Sequence, residues 1–259
     1  GIFWTTLMEK SEVLWIGTMS GGLFKGDLNQ KPFYSVTERN SIHPGLTDKF
    51  VNEITGDDNG NIWIGTLYGG GTHLTIENNR VEIQDDFNEQ VGISKEKASM
   101  GILFDDEGTL WVDNPNGGVK RIRFDENMKP SRVIKYNERT SSSLPMNTVH
   151  TIQQDRFGVI WMSSNYGEGL VRVDMEDNGD PVFIKFEDEE FEDATIKAVY
   201  RDKEGYLWIS TRTIGVYRVR LDNQNQPIEK INISDREKAD ILSMNYALSF
   251  LEDEFGNVW

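Results

Sequence analysis

The sequence predicts an all-β fold, a β-propeller of four-stranded antiparallel blades. The first observation is a repeat: six of the seven tryptophans recur every 47 to 51 residues, a period that matches propeller blades rather than helical solenoids. The second is an Asp-x-x-Gly signal before five of them, and the third is the pair of apolar runs that flank each signal. The repeated positions are Trp15, Trp63, Trp111, Trp161, Trp208 and Trp259.

Each Asp-x-x-Gly signal predicts the tip of a β-hairpin. Asp at the first position of a type I turn accepts hydrogen bonds from the turn backbone, and Gly at the fourth position takes a positive φ. The first repeat has Glu9 and Glu12 in place of Asp and Gly, so we expect a less regular or longer turn there. The five aspartates are Asp57, Asp105, Asp155, Asp202 and Asp253.

The apolar runs predict the first two strands of each blade, and two more strands follow the tryptophan. In the fourth repeat these are GLVRVDM (169–175) and PVFIKF (181–186). Short glycine-rich segments separate the second strand from the third. The best helical candidate, Asn88 to Met100, is too polar for a buried helix, and we expect a loop with one helical turn.

These signals divide one domain, residues 1–259, into five complete blades and the first two strands of a sixth. The last row stops at Trp259, whereas the first row already has its own first strand. We therefore expect a fragment of a seven- or eight-bladed propeller, with exposed blade faces that favour a homodimer. The predicted blades lie near 1–40, 47–88, 98–137, 148–187 and 195–233, with a partial blade at 246–259.

The repeated tryptophans are interpreted as packing residues and not as ligand-stacking residues. A large aromatic side chain in the second strand of every blade fills the gap between neighbouring blades. Repeat proteins depend on identical contacts between successive units. The tryptophans are therefore expected to hold the fold together.

Composition excludes several classes of function. The chain has 43 acidic and 27 Lys and Arg residues, a net charge of −16, which repels the phosphates that a nucleic-acid-binding protein must neutralise. No Cys is present, so disulfides, thiolate metal sites and thiol catalysis are excluded. No apolar stretch is long enough for a membrane helix. The first residues show no basic segment followed by an apolar one, so no signal peptide is predicted in them.

The motifs resemble a known family, the two-component regulator propeller repeats. Its Leu-Trp-Ile-Gly-Thr pattern appears at Leu14 to Thr18 and Ile62 to Thr66, with weaker forms at 111–114, 161–164 and 208–211. The resemblance implies the periplasmic sensor part of a hybrid two-component receptor. It also implies signal transduction through the remainder of that receptor, and an oligosaccharide ligand that is bound without turnover.

The His residues and acidic runs of the sequence do not favour catalysis or cofactor binding. His43, His73 and His150 stand without a nucleophile and an orienting carboxylate at suggestive spacing. The acidic runs at 57–61 and 174–180 lack the bidentate Glu of a calcium loop, so we predict no catalytic residue, metal or cofactor. Carboxylates are plentiful, however, and a propeller enzyme, a glycan lyase or hydrolase using carboxylate and His chemistry, stays open as the alternative.

The candidate ligand site lies in the loops between second and third strands. These loops share a face with the linkers into the next blade, and they vary while the Asp-x-x-Gly tips are constant, a pattern typical of specificity loops. Amides, a guanidinium and aromatic rings suit sugar hydroxyls and sugar faces. The predicted ligand-binding residues are Tyr68, Asn114, Asn165, Tyr166 and Arg212.

Overall fold

A computed structural model gives the fold of most of the chain. It describes residues 3–8, 13–27, 30–37, 45–77, 80–84, 87–93, 101–114, 117–140, 143–164, 166–234 and 246–259.

Five four-stranded antiparallel sheets form in sequence order, which confirms the predicted β-propeller blades. Blades 1 to 5 take β1–β4, β5–β8, β9–β12, β13–β16 and β17–β20. The strands are β1 Phe3–Met8, β2 Val13–Thr18, β3 Leu23–Asp27, β4 Gln30–Val36, β5 Val51–Gly56, β6 Asn61–Thr66, β7 Gly70–Glu77, β8 Arg80–Gln84, β9 Ile102–Phe104, β10 Thr109–Asp113, β11 Val119–Phe124, β12 Pro130–Tyr136, β13 Thr151–Gln154, β14 Ile160–Ser163, β15 Leu170–Met175, β16 Pro181–Lys185, β17 Ile196–Arg201, β18 Leu207–Thr211, β19 Val216–Leu221 and β20 Pro227–Asn232.

Helix is confined to one turn, α1 (Phe87–Gln90), among the described residues. This turn falls where the sequence predicts one, although residues 94–100 of the same candidate segment lie outside the described residues. The expected irregular turn of the first repeat, residues 9–12, also lies outside them.

The chain divides into two compact units, Gly1–Lys135 with blades 1 to 3 and Tyr136–Trp259 with blades 4 and 5. In the second unit a short hairpin follows blade 5. Leu251 and Trp259 exchange backbone hydrogen bonds of 3.0 and 2.7 Å across its Asp-x-x-Gly tip. This hairpin occupies the place of the predicted sixth blade, and the Trp259 side chain is 74% exposed.

In the first unit, the tryptophans of blades 1 and 2 pack into the following blade. Trp15 of blade 1 is fully buried in a cluster with Ile64 of blade 2. Trp63 of blade 2 is likewise buried with Ile102 and Leu110 of blade 3. The indoles therefore fill the gaps between neighbouring blades, as the repeat predicts.

The second unit repeats the arrangement. Trp161 of blade 4 packs with Ile196 and Ile209 of blade 5 in one cluster. Trp208 of blade 5 faces Phe250 of the following hairpin, with ring centroids 6.2 Å apart, and is half-buried. Burial of each indole thus depends on the sheet that follows it.

The turn aspartates hold these tryptophans as well as the turns. Oδ1 of Asp105 accepts the backbone N–H groups of Glu107 and Thr109 at 3.1 and 2.8 Å, and Oδ2 accepts the indole N–H of Trp111 at 2.7 Å. One carboxylate therefore closes the hairpin and pairs a buried indole N–H that would otherwise be costly. The same indole bond joins Asp155 to Trp161, Asp202 to Trp208 and Asp253 to Trp259.

The residue opposite the tryptophan on the third strand is Lys or Arg in four blades and His in blade 2. The pairs across the sheet are Trp15 with Lys25, Trp63 with His73, Trp111 with Arg121, Trp161 with Arg172 and Trp208 with Arg218. The cationic groups of Lys25, Arg121 and Arg218 lie over the facing indoles at 5.6, 5.2 and 5.6 Å from the ring centroids. These cation–π contacts add to the hydrophobic packing.

The double role of the turn aspartate predicts unequal losses of stability within blade 3. Asp105→Ala removes a turn cap and leaves the Trp111 indole N–H unpaired, and it should lower the free energy of unfolding by about 3 kcal/mol. Asp125→Ala is the matched control, since Asp125 caps its own turn through the N–H groups of Asn127 and Lys129 only, and should cost about 1 kcal/mol. Urea unfolding at neutral pH measures both. Equal losses would show that the indole bond contributes nothing.

Candidate functional site

The loops between second and third strands lie beside the linkers that lead into the blades. In blade 2 the backbone N–H of Tyr68 donates to Oδ2 of the linker residue Asp48 at 2.9 Å. In blade 5 the N–H of Arg212 donates to the carbonyl of Thr195 at 2.8 Å. The loops therefore emerge on the face of the linkers, as the blade topology predicts.

A hydroxyl at the end of the second strand closes three of these loops. It donates to a glycine carbonyl four residues later, and the bond fixes the loop without the help of the variable residues between. The pairs are Thr18 with Gly22 at 2.9 Å, Thr66 with Gly70 at 2.8 Å and Thr211 with Gly215 at 2.8 Å. The repeated Thr of the Leu-Trp-Ile-Gly-Thr motif is thus a loop-closing residue, a role that the sequence reasoning missed.

In the first unit, the predicted residues Tyr68 and Asn114 have different surroundings. The Tyr68 side chain is 59% exposed and meets the ring of Phe50 edge-on, with centroids 6.1 Å apart. Asn114 is buried, and its amide nitrogen donates to the carbonyl of Gly117 at 2.8 Å. Tyr68 therefore offers an aromatic face to solvent, whereas the Asn114 amide closes its own loop.

In the second unit, Tyr166 and Arg212 both extend into solvent from loops of adjacent blades. The Tyr166 side chain is 79% exposed, while its backbone N–H donates to Oγ of Ser164 at 3.1 Å. The Arg212 side chain is exposed and forms no ion pair with a described residue. The predicted residue Asn165 lies outside the described residues. An aromatic ring and a guanidinium are thus available on one face of this unit.

Glu168 anchors the Tyr166 loop and was not singled out from the sequence. Its Oε1 accepts the N–H of Asn147 at 2.8 Å, and its Oε2 accepts the N–H and hydroxyl of Thr148 at 3.1 and 2.8 Å. Partial burial opposes ionisation, but the hydrogen bonds from Asn147 and Thr148 hold the pKa of Glu168 below its usual range. Glu168 therefore holds the segment that follows Tyr166 against the linker.

Basic groups gather near Arg212 in the second unit. Burial lowers the pKa of Lys197, and the positive charge of Arg212 lowers it further. Burial also lowers the pKa of His150 to about 4, and the charge of Lys197 adds to that shift. Lys197 therefore lies close to both Arg212 and His150, while the acidic linker residues Glu192 and Asp193 pack against Gly169 and Gly167 of the neighbouring loop.

Among the described residues, the His, Asp and Glu side chains do not form a metal site. His43 lies outside the described residues, and burial lowers the pKa of His73 to about 4, as it does that of His150. No three His, Asp or Glu side chains among the described residues stand close enough to hold a metal ion. No described helix has the length and apolarity to cross a membrane.

Three segments of the chain match the family described as "Two component regulator propeller". They are residues 45–68, 143–166 and 190–213, and each runs from a linker through the first two strands of a blade. The resemblance read from the motifs is confirmed, and the chain carries repeats of this family. No curated protein matches the chain.

Solved structures with the same fold include extracellular domains of two-component and one-component systems, and an enzyme. An extracellular domain from B. thetaiotaomicron, assigned to the hybrid two component system BT3049, superposes on 100% of the chain with a TM-score of 0.66 and 20% identity. An extracellular domain of the B. thetaiotaomicron system BT4673 covers 99% with a TM-score of 0.53 and 22% identity. Virginiamycin B lyase from Staphylococcus aureus covers 90% with a TM-score of 0.61 and 14% identity.

The chain matches a different fraction of the length of each of these three proteins. The chain spans 38% of the BT3049 domain, 34% of the BT4673 domain and 71% of the lyase. It therefore accounts for less than two fifths of the length of the two extracellular domains. At these identities the likeness shows the fold, on which unrelated functions are built.

The low pKa of His150 predicts a specific loss of stability in acid. An unfolded His titrates near 6.5, whereas the folded side chain resists protonation until about pH 4, so the unfolded state binds the extra proton between these values. His150 contributes fully to the free energy of unfolding above pH 6.5. This contribution falls by up to about 3 kcal/mol as the pH drops to 4. His150→Gln removes this contribution, and the unfolding free energies of the two proteins, measured by urea titration from pH 7 to 4, should converge as the pH falls. A constant difference would contradict the assignment.

Proposed function

We propose that this chain, which carries two component regulator propeller repeats, is a ligand-sensing module of a two-component signalling receptor. In this proposal it binds an oligosaccharide without turnover and lies on the extracytoplasmic side of the membrane, in the periplasm. The remainder of the receptor is its signalling partner. The matched family segments and the sensor domains that share the fold support this role.

The single observation that carries the proposal is the exposed Tyr166 ring on its anchored loop. An aromatic side chain with 79% of its surface in solvent has no packing role in the fold, and a sugar ring stacks on such a face. Because Glu168 bonds Asn147 and Thr148, the segment that follows Tyr166 is held against the linker, which reduces the conformational entropy lost when a ligand binds.

Arg212 complements the ring. Its guanidinium presents several donors in a fixed plane, which suits paired sugar hydroxyls or a carboxylate. Tyr166 and Arg212 project from neighbouring blades of one unit, so an oligosaccharide that bridges two blades can use both. Tyr68 supplies the corresponding exposed ring in the first unit.

The enzyme alternative has weaker support from the side chains. A general base must reach the proton that it removes, yet Nδ1 of His150 is buried and has no partner among the described residues. The turn aspartates are already engaged by backbone N–H groups and indoles. The repeated carboxylates therefore serve the fold in this proposal, which favours binding over turnover.

The proposed site predicts which variants weaken binding. Tyr166→Ala and Arg212→Ala should each lower the affinity for a glycan fragment about tenfold, through the lost stacking or hydrogen bonds, with a nearly unchanged melting temperature. Isothermal titration calorimetry against a panel of neutral and acidic oligosaccharides measures this. Phe157→Ala is the control, because Phe157 is an exposed aromatic residue on an Asp-x-x-Gly tip of blade 4. Unchanged affinity in both loop variants would remove the site.

Binding without turnover predicts that the glycan panel is recovered intact. After prolonged incubation with the protein, chromatography should show no new reducing ends and no unsaturated products, because the turn carboxylates are engaged by backbone and indole N–H groups and Nδ1 of His150 is buried. Any product that appears with the wild-type chain and disappears in His150→Gln would replace the sensor proposal with the lyase or hydrolase alternative.

A further inference from the structure

A cavity of about 620 Å³ opens between blades 2 and 3 in the first unit. Asn61, His73 and Thr75 of blade 2 form one wall. Phe87 and Gln90 of α1 and the turn at residues 126–130 complete it. The volume lies within the range of pockets that hold small molecules, and none of these residues belongs to the loop site described above.

The cavity coincides with a departure from the pattern of the repeat. Where other blades place Lys or Arg opposite the tryptophan, blade 2 has His73. Its ring lies flat on Trp63, with centroids 4.8 Å apart and planes 6° apart. An imidazole is shorter than a lysine or arginine side chain, so it leaves space that a longer cation would fill.

A second departure involves the turn aspartate of the same blade. Oδ2 of Asp57 accepts the side-chain amide of Asn61 at 2.8 Å, and does not accept the indole of Trp63. The indole N–H of Trp63 is buried and has no partner among the described residues. Blade 2 therefore lacks the Asp–Trp hydrogen bond that stabilises blades 3 to 5. Unpaired buried groups of this kind are concentrated at functional positions.

The hydrogen bonds around Asn61 fix the tautomer of His73. Because the Asp57 carboxylate accepts from the amide nitrogen of Asn61, the amide oxygen is the atom that faces Nε2 of His73 at 3.2 Å. Nε2 must therefore carry the proton. Burial lowers the pKa of His73 to about 4 despite the charge of Asp57, so the ring is neutral and Nδ1 is an acceptor that no described residue occupies.

The wall of the cavity favours an uncharged, hydroxyl-rich ligand. Amide, imidazole and hydroxyl groups supply donors and acceptors without net charge, and the single acid Glu126 is balanced by Lys129. The carboxylate of Asp57, bonded to the wall residue Asn61, disfavours an anion nearby. The ring of Phe87 adds an apolar surface, which matches the mixed character of a sugar ring.

We propose that the crevice between blades 2 and 3 is a second binding site, selective for a neutral pyranose of one or two rings. His73 accepts a ligand hydroxyl at Nδ1, and Phe87 contacts the apolar side of the ring. The site stands at the opposite end of the β6–β7 hairpin from the Tyr68 loop. It is independent of the loop site, and either site can fail without the other.

The repeat itself supplies the test variant. His73→Arg restores the basic residue of the other blades and fills the cavity with a guanidinium, so the fold is retained while the site is lost. Asn127→Trp blocks the cavity from the opposite wall, at an exposed turn position whose backbone N–H alone bonds Asp125. Glu82→Gln, on the exposed surface of β8 in the same blade, is the matched control.

Saturation-transfer difference NMR with methyl β-glucoside, maltose and cellobiose at millimolar concentration measures binding, with glucuronic acid as the charged comparison. We expect a signal from at least one neutral sugar that falls at least fivefold in both His73→Arg and Asn127→Trp, and is unchanged in Glu82→Gln. Absence of signal from every neutral sugar, or a signal that survives both blocking variants, would overturn the proposal. So would a stronger signal from glucuronic acid, or loss in Tyr68→Ala with His73→Arg unaffected.

Discussion

The structure depends on the burial of a large indole in each blade and, in blades 3 to 5, on a hydrogen-bond partner for its N–H group. An unpaired buried N–H costs about 1–3 kcal/mol, so hydrophobic packing alone does not settle the position of the side chain. In blades 3 to 5 the aspartate of the preceding turn meets both requirements, because one oxygen closes the hairpin and the other accepts the indole N–H, as Asp155 does for Trp161. Turn, strand pairing and packing between blades are thereby linked in one unit of sequence.

This constant unit leaves the opposite face free to vary. A Thr hydroxyl closes the loops after the second strands of blades 1, 2 and 5, and linker contacts such as Asp48 with Tyr68 hold their backbones. The exposed Arg212 side chain lies within such a closed loop, and the Tyr166 ring of blade 4 is 79% exposed, so both can be exchanged without loss of the fold. Blade 2 differs from the other blades within the constant unit, at His73. A change within this unit lowers stability, which is why His73 indicates a functional position.

Much of the fold could be predicted from the sequence, because each blade repeats both its turn signal and its tryptophan. The strands and the burial of the indoles follow from local patterns. The Asp–Trp hydrogen bond could have been found from the fixed spacing of six residues, which places both side chains at one end of a hairpin. The roles of Glu168 and Asn61 could not, because their partners, Thr148 and His73, are brought near only by the folded blades. For the same reason Asn114 is grouped with the predicted ligand-binding residues, although it is buried and its amide bonds its own loop.

Solvent access at the individual tryptophans tests the blade-to-blade packing most directly. Hydroxyl-radical footprinting of the folded chain, read by mass spectrometry, reports the oxidation rate of each indole separately. We expect strong protection of Trp15, Trp63, Trp111 and Trp161, intermediate reactivity of Trp208 and rapid oxidation of Trp259, in the order of their exposure. Similar rates at all six positions, or rapid oxidation of Trp63 or Trp161, would contradict it.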